Sequence, residues 1–198
     1  YRFNQNISGW NTAAVTNMSS MFGYAYDFNQ NIGTWNTSAV INMGRMFEDA
    51  FDFNQNIGTW NTAAVTNMSG MFIDAYAFNQ NIGTWNTGAV TNMDRMFDFA
   101  TAFNQNIGTW NTAAVTDMRG MFADAEDFNQ NIGTWTLNPA VNLSNMLNNS
   151  GMDCSNYSAT LIGWNANPAT PNGRTLGAIG RQYGTNAAAA RTNLISTK

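Results

Sequence analysis

The chain has 198 residues, only 10% of them charged, with a net charge of −4 and no histidine. A chain of this length buries a substantial core, but here the core must come largely from 13 Phe, 12 Met and 7 Trp. Lack of histidine excludes Ser-His-Asp and Cys-His catalysis and His-bearing zinc sites. The single cysteine, Cys154, excludes an internal disulfide and reads as a small buried apolar residue. Eight scattered Lys and Arg do not make the basic face that nucleic acid requires.

No apolar run approaches the roughly 18 residues of a membrane span, and no basic-then-apolar leader is present. Phe-Asn-Gln-Asn-Ile recurs at residues 3, 28, 53, 78, 103 and 128, a period of 25 with no insertion. The first residues fall inside such a unit, so the chain reads as a piece of a longer polypeptide. A fixed period of this size points to stacked supersecondary units, each unable to bury its apolar face alone.

Within one unit the apolar residues are Phe53, Ile57, Trp60, Val65, Met68, Met71, Phe72 and Ala75. Residues 56–60 read as an extended piece and 64–66 as a short parallel strand. Residues 67–75 read as two helical turns, with Asn67 as N-cap and Met68, Met71, Phe72 and Ala75 on one face. Stacked coils place Trp10, Trp35, Trp60, Trp85, Trp110 and Trp135 in one internal ladder, with parallel ladders of Phe, Met and Asn. The expected fold is therefore a repeat solenoid, leucine-rich-repeat-like, with short parallel strands plus short helices in each coil.

Acids concentrate after the expected helix, at Asp27, Glu48, Asp49, Asp52, Asp74, Asp98, Asp124, Glu126 and Asp127, and Arg45 and Arg95 stand three residues before Glu48 and Asp98. The variable exposed positions Tyr24, Tyr26, Arg45, Glu48, Phe51, Asp74, Tyr76, Arg95 and Phe99 are the candidate partner-contact surface. No catalytic, cofactor-binding or metal residue is expected. Calcium remains an alternative, since Asp, Asn and backbone oxygens crowd this edge, but the acids shift phase between coils and form no EF-hand loop. Two threonine columns, Thr34, Thr59, Thr84, Thr109 and Thr134 beside Thr12, Thr37, Thr62, Thr87 and Thr112, leave open an ice- or water-ordering face.

From about residue 136 the repeat degrades at WTLNPAVNLSNMLNNS, with Pro139 inserted. Residues 1–150 are the expected six-coil array and 151–198 an α-rich cap. In the cap, SNYSATLIGW and NAAAARTNLIS read as helices, with Leu161, Ile162, Trp164, Leu194 and Ile195 facing the last coil.

The units FNQNIGTWNTSAVINMGRMF and NIGTWNTAAVTNMSGMF resemble the BspA-like leucine-rich-repeat surface proteins, in the 25-residue mycoplasma-type lipoprotein repeat also found in marine Bacteroidota. The resemblance covers residues 1–147, and the tail NYSATLIGWNANPATPNGRTLGAIGRQY is similar to the segment that follows such repeats in Bacteroidota. It implies a secreted or cell-surface adhesin or scaffold, often sorted by type IX secretion through a domain further along the chain, and it transfers no catalytic residue. The expected function is a non-enzymatic extracellular or cell-surface repeat protein, adhesin or structural spacer. Its expected partner is a protein or glycan surface, with the secretion machinery a second.

Overall fold

The computed structural model describes residues 2–196, with side chains as far as Leu194. From residue 2 to residue 150 the backbone alternates turns with short non-regular segments, with one bridge residue in each coil and no helix. In the third unit, local bonds close one turn after another: Trp60 N–H to Ile57 O, Val65 to Thr62, Met71 to Met68, Ile73 to Gly70, Ala75 to Phe72 and Phe78 to Ala75. The intervening amides point the other way. Met68, Gly70, Phe72 and Asp74 donate to the carbonyls of Asn92, Asp94, Met96 and Asp98 in the next unit, at 2.7 to 2.9 Å. Between residues 68 and 75, alternate N–H groups thus close a turn or join two coils, so that this part of the coil satisfies its backbone donors.

This alternation overturns the expected leucine-rich-repeat-like solenoid of short strands and short helices. No helix forms at residues 67–75, because Gly70 and Asp74 take φ of +60° and +55°, and Arg45, Asp49, Arg95, Phe99 and Asp124 do the same in their coils. A left-handed residue every fourth position cannot continue an α-helix. Spacing gives the deeper reason. Equivalent rings repeat at 5.5–6.5 Å, as in Phe47–Phe72, Phe72–Phe97 and Trp60–Trp85, whereas neighbouring helices need roughly 8–10 Å between axes. The expected strands shrink to one parallel bridge per junction, Asn42↔Asn67 and its equivalents, because the next amides turn back into local bonds. Residues 56–60 are a turn rather than an extended piece.

The interior is nonetheless a set of ladders. Phe53, Ile57, Val65, Met68, Met71, Phe72 and Ala75 are fully buried, with the same positions buried in the neighbouring coils. Each indole from Trp35 to Trp135 donates through Nε1 to an Ile carbonyl in the coil before it, as Trp85 does to Ile57 O at 3.1 Å. Buried Thr62 donates to Asn86 O at 2.9 Å. Asn54 Oδ1 accepts from Asn79 N–H and Gln80 Nε2, and Asn56 Oδ1 from Gly58 N–H. Side chains thus answer many of the polar groups the turns leave open. Gly33, Gly58 and Gly83 let adjacent coils touch: a Cβ on Gly58 would lie 2.4 Å from Asn81 O. Trp10 departs from the expected internal ladder; it stacks on Trp35 at 6.2 Å but is 55% exposed, having no coil below it among the described residues.

Beyond Ser150 the chain stops coiling and imitates a coil with other elements. Helix α1, Cys154–Ala166, is N-capped by Asp153, whose side chain accepts from Asn156 N–H. Asp153 N–H and Asn156 Nδ2 both reach Asn129 Oδ1, as Asn129 N–H and Gln130 Nε2 reach Asn104 Oδ1 one coil earlier. Trp164 Nε1 bonds Ile132 O at 3.1 Å, adding a rung to the indole ladder from a helix. Residues 176–180 accept from Leu147 and Asn149 N–H through Gly177 O and Ile179 O, taking the place of a further turn run. A short 3-10 turn, Thr185–Ala187, leads into helix α2, Ala188–Ser196.

Leu161 and Trp164 are buried and Leu194 packs on the core, as expected. Ile162 instead is 38% exposed, because one face of α1 carries the interface and it lies on the other. Ile195 lies outside the described side chains. Cys154, expected to be buried, is exposed at the first turn of α1.

Candidate functional site

The left-handed residues decide which side chains stand outside the stack. Tyr24, Asp49, Asp74, Phe99 and Asp124 occupy one column, all with φ between +53° and +61°. Tyr and Phe are uncommon in this region, where a Cβ crowds the following carbonyl, so the coil-to-coil bonds of their amides hold them there. Arg45 and Arg95 share the second left-handed column. They stand at a turn, not on a helix as the sequence suggests.

Beside the first column runs an aromatic stripe. Tyr26 stacks on Phe51 at 4.8 Å and Phe51 on Tyr76 at 4.9 Å, with interplanar angles of 22° and 23°. Tyr26 and Tyr76 are exposed and Phe51 half-buried. Tyr24 and Phe99 add two further exposed rings on the same edge. Stacked rings hide most of their faces from solvent, so the stripe offers edges and hydroxyls rather than flat platforms.

Carboxylates line the stripe, and their environment is read in their proton affinity. Asp49 is pushed up by burial, then by the charges of Asp74 and Glu48. The Tyr76 hydroxyl donates to Asp74 Oδ1 at 2.9 Å, which raises its own pKa. Asp98 is pushed up to about 6, chiefly by burial; Arg95, 3.8 Å away, opposes this, while Asp124, Asp74 and Asp94 add to it. Arg45 Nη1 donates to Glu48 Oε1 at 2.9 Å. Glu48 therefore departs from its expected contact role: it is 8% exposed, folded under the arginine that neutralises it.

Of the nominated contact residues, then, Tyr24, Tyr26, Phe51, Asp74, Tyr76 and Phe99 share one edge, with Arg45 and Arg95 at the adjoining column. One pair escaped the sequence reading. Arg119 grips Asp94 in the coil before it through Nε and Nη2, at 2.9 and 3.0 Å, a two-pronged contact that raises the arginine pKa. Opposite charges one full period apart were the available signal. Among the described residues no group of three or more His, Cys, Asp and Glu is close enough to hold a metal ion.

The threonine array also breaks up. Thr12, Thr37, Thr62, Thr87 and Thr112 are at most 3% exposed and bond carbonyls of the next coil, and Thr59, Thr84, Thr109 and Thr134 spend their hydroxyls on glycine carbonyls. One column faces inward, so no double threonine face meets water.

Residues 1–67 and 52–164 match the family described as Mycoplasma protein of unknown function, DUF285. No curated protein and no solved structure gives a significant match. No helix among the described residues is long and apolar enough to cross a membrane.

Proposed function

Because the chain belongs to the DUF285 family, a mycoplasma-type repeat carried by BspA-like surface proteins, we propose that it is a non-enzymatic repeat protein of the cell surface or extracellular space, acting as an adhesin through one rigid edge. The stacked Tyr26–Phe51–Tyr76 stripe carries the reading. Exposed aromatic side chains in register on a stiff backbone lose little conformational freedom when a partner docks, and aromatic residues supply most contact energy at protein surfaces. Asp49 and Asp74 beside the rings give the contact polarity and orientation.

The mechanism is the sum of weak contacts repeated along the stack, in which each engaged coil raises the effective concentration of the next. The acids stand on an edge rather than facing one another across a cleft, which suits contact rather than turnover. The proposed partner is a protein or glycan surface, a reading that the BspA-like resemblance supports, with the secretion machinery proposed as a second. Immobilised protein, probed with matrix proteins and a glycan array, tests the proposal: binding that disappears in a Tyr26→Ser, Phe51→Ser, Tyr76→Ser variant supports an adhesin. Absence of any binding assigns the stack to passive spacing.

A further inference from the structure

Charge divides sharply along this chain. Arg174, Arg181, Arg191 and Lys198 lie beyond residue 150, where Asp153 is the one acid, while every other acid lies in the repeats. None of the four ion pairs among the described residues uses Arg174, Arg181 or Arg191. Arg191 sits over the Tyr183 ring at 5.1 Å, and Arg181 Nη1 donates to Met152 O while its buried Nε has no partner.

These cations border a hollow. Between the last coil and the cap lies a cavity of about 460 Å³, within the roughly 300–1,000 Å³ of small-molecule sites. Its walls are the buried side chains of Leu137, Leu143, Leu161 and Trp164, with Arg174 and Arg191, both exposed, at its border. No acid lines it. A second space of about 370 Å³ shares Tyr157, Leu176 and Arg191 with the first and adds Arg181. Tyr157 and Arg191 both line the wall shared by the two spaces, and the Arg191 charge lowers a Tyr157 pKa that burial otherwise raises. An apolar chamber edged by cations that have no carboxylate partner among the described residues favours one kind of occupant.

We propose that the cap binds an amphipathic anion, a linear apolar chain bearing a carboxylate, sulfate or phosphate. The chain lies between Leu137, Leu143, Leu161 and Trp164, and the charged head meets Arg174 and Arg191. Such a ligand desolvates little charge, because its head stays at the rim where the arginines are hydrated, and it fills space that the packed coils leave empty. The site is independent of the aromatic edge, which lies on the coils and not at the cap.

Calorimetric titration with decanoate, decanol and decyltrimethylammonium, each below its micelle concentration, tests it. Decanoate is expected to bind one per chain, at least tenfold tighter than decanol, with no saturable binding of the cation. The Arg174→Ala, Arg191→Ala double variant changes exposed side chains and gives up the contact of Arg191 with the Tyr183 ring, so it should lose no more than a few degrees of melting temperature and at least tenfold in decanoate affinity. The proposal is overturned if decanoate does not saturate, if decanol or the cation binds as tightly, or if the double variant binds decanoate unchanged.

Discussion

Replacing Gly163 with alanine sets two forces against each other. Gly163 lies inside α1, where alanine would favour an isolated helix by roughly 1 kcal/mol. In the folded chain a Cβ there would lie 2.4 Å from Gly133 O, 2.7 Å from Gly133 C and 2.8 Å from its Cα. That is about 1 Å inside normal contact, and all three neighbours are backbone that cannot rotate away. The helix must back off, lengthening the bonds from Trp164 Nε1 to Ile132 O, now 3.1 Å, and from Ile132 N–H to Thr160 Oγ1, now 3.2 Å. Two buried bonds cost about 1 kcal/mol each and the overpacked contact a further 1–3 kcal/mol. After the helix gain is subtracted, a net loss of about 2–4 kcal/mol remains, roughly 4–16 °C in melting temperature for a chain of this size. Urea and thermal unfolding followed by tryptophan fluorescence read the change, with Gly9→Ala, whose Cβ would meet nothing within 4 Å, as control. A Gly163→Ala protein as stable as wild type, or more so, refutes the docking of α1 as a seventh rung.

Three other outcomes follow from the same structure. Gly70→Ala should destabilise by about 1 kcal/mol, because φ of +60° disfavours any Cβ; a stabilisation would mean that residues 67–75 are helical after all. Thr87→Val keeps the shape but removes the bond to Asn111 O at 2.9 Å, at a cost of about 1 kcal/mol in urea unfolding; no change would show the column to be solvated. Asp98, pushed up to about 6, binds its proton more tightly folded than unfolded, where its pKa is near 3.9. Its contribution to stability is therefore full below about pH 4 and lost as pH rises through 6. Relative to Asp98→Asn, the wild type should gain melting temperature as pH falls from 7 to 4, and a gap that stays constant would contradict the burial of this carboxyl.

What could be read from sequence was whatever repeats, and what misled was the shape of one coil. The 25-residue period puts Trp35 over Trp60 and Phe47 over Phe72 whatever the local backbone does, so the core ladders and the Asn columns were visible in the spelling, whereas the bond from Gln80 to Asn54 was not. The helix was not real because Met68, Met71, Phe72 and Ala75 fall at i, i+3, i+4 and i+7 for another cause. Consecutive three-residue turns, reset by a left-handed residue every fourth position, return side chains to the interior with nearly helical spacing. Gly70, Gly120, Asn145 and Asn149 at the left-handed positions were the available clue, since Gly and Asn tolerate positive φ best. At the candidate site, the exposure of Tyr24, Tyr76 and Phe99 could be read from variation between copies. The burial of Glu48 under Arg45 and of the Thr12 column could not, because both depend on the path the backbone takes through its turns, which sets what Arg45 covers and which carbonyls meet the Thr hydroxyls.

The central claim, that each coil is bonded to the next through alternate amides rather than coiled into helices, is open to direct observation by NMR. Scalar couplings across hydrogen bonds should connect Phe72 N–H with the Met96 carbonyl and Met68 N–H with the Asn92 carbonyl, the pairs that lie 2.9 Å apart. Couplings from Phe72 N–H to the Met68 carbonyl, the helical partner four residues back, would contradict the account.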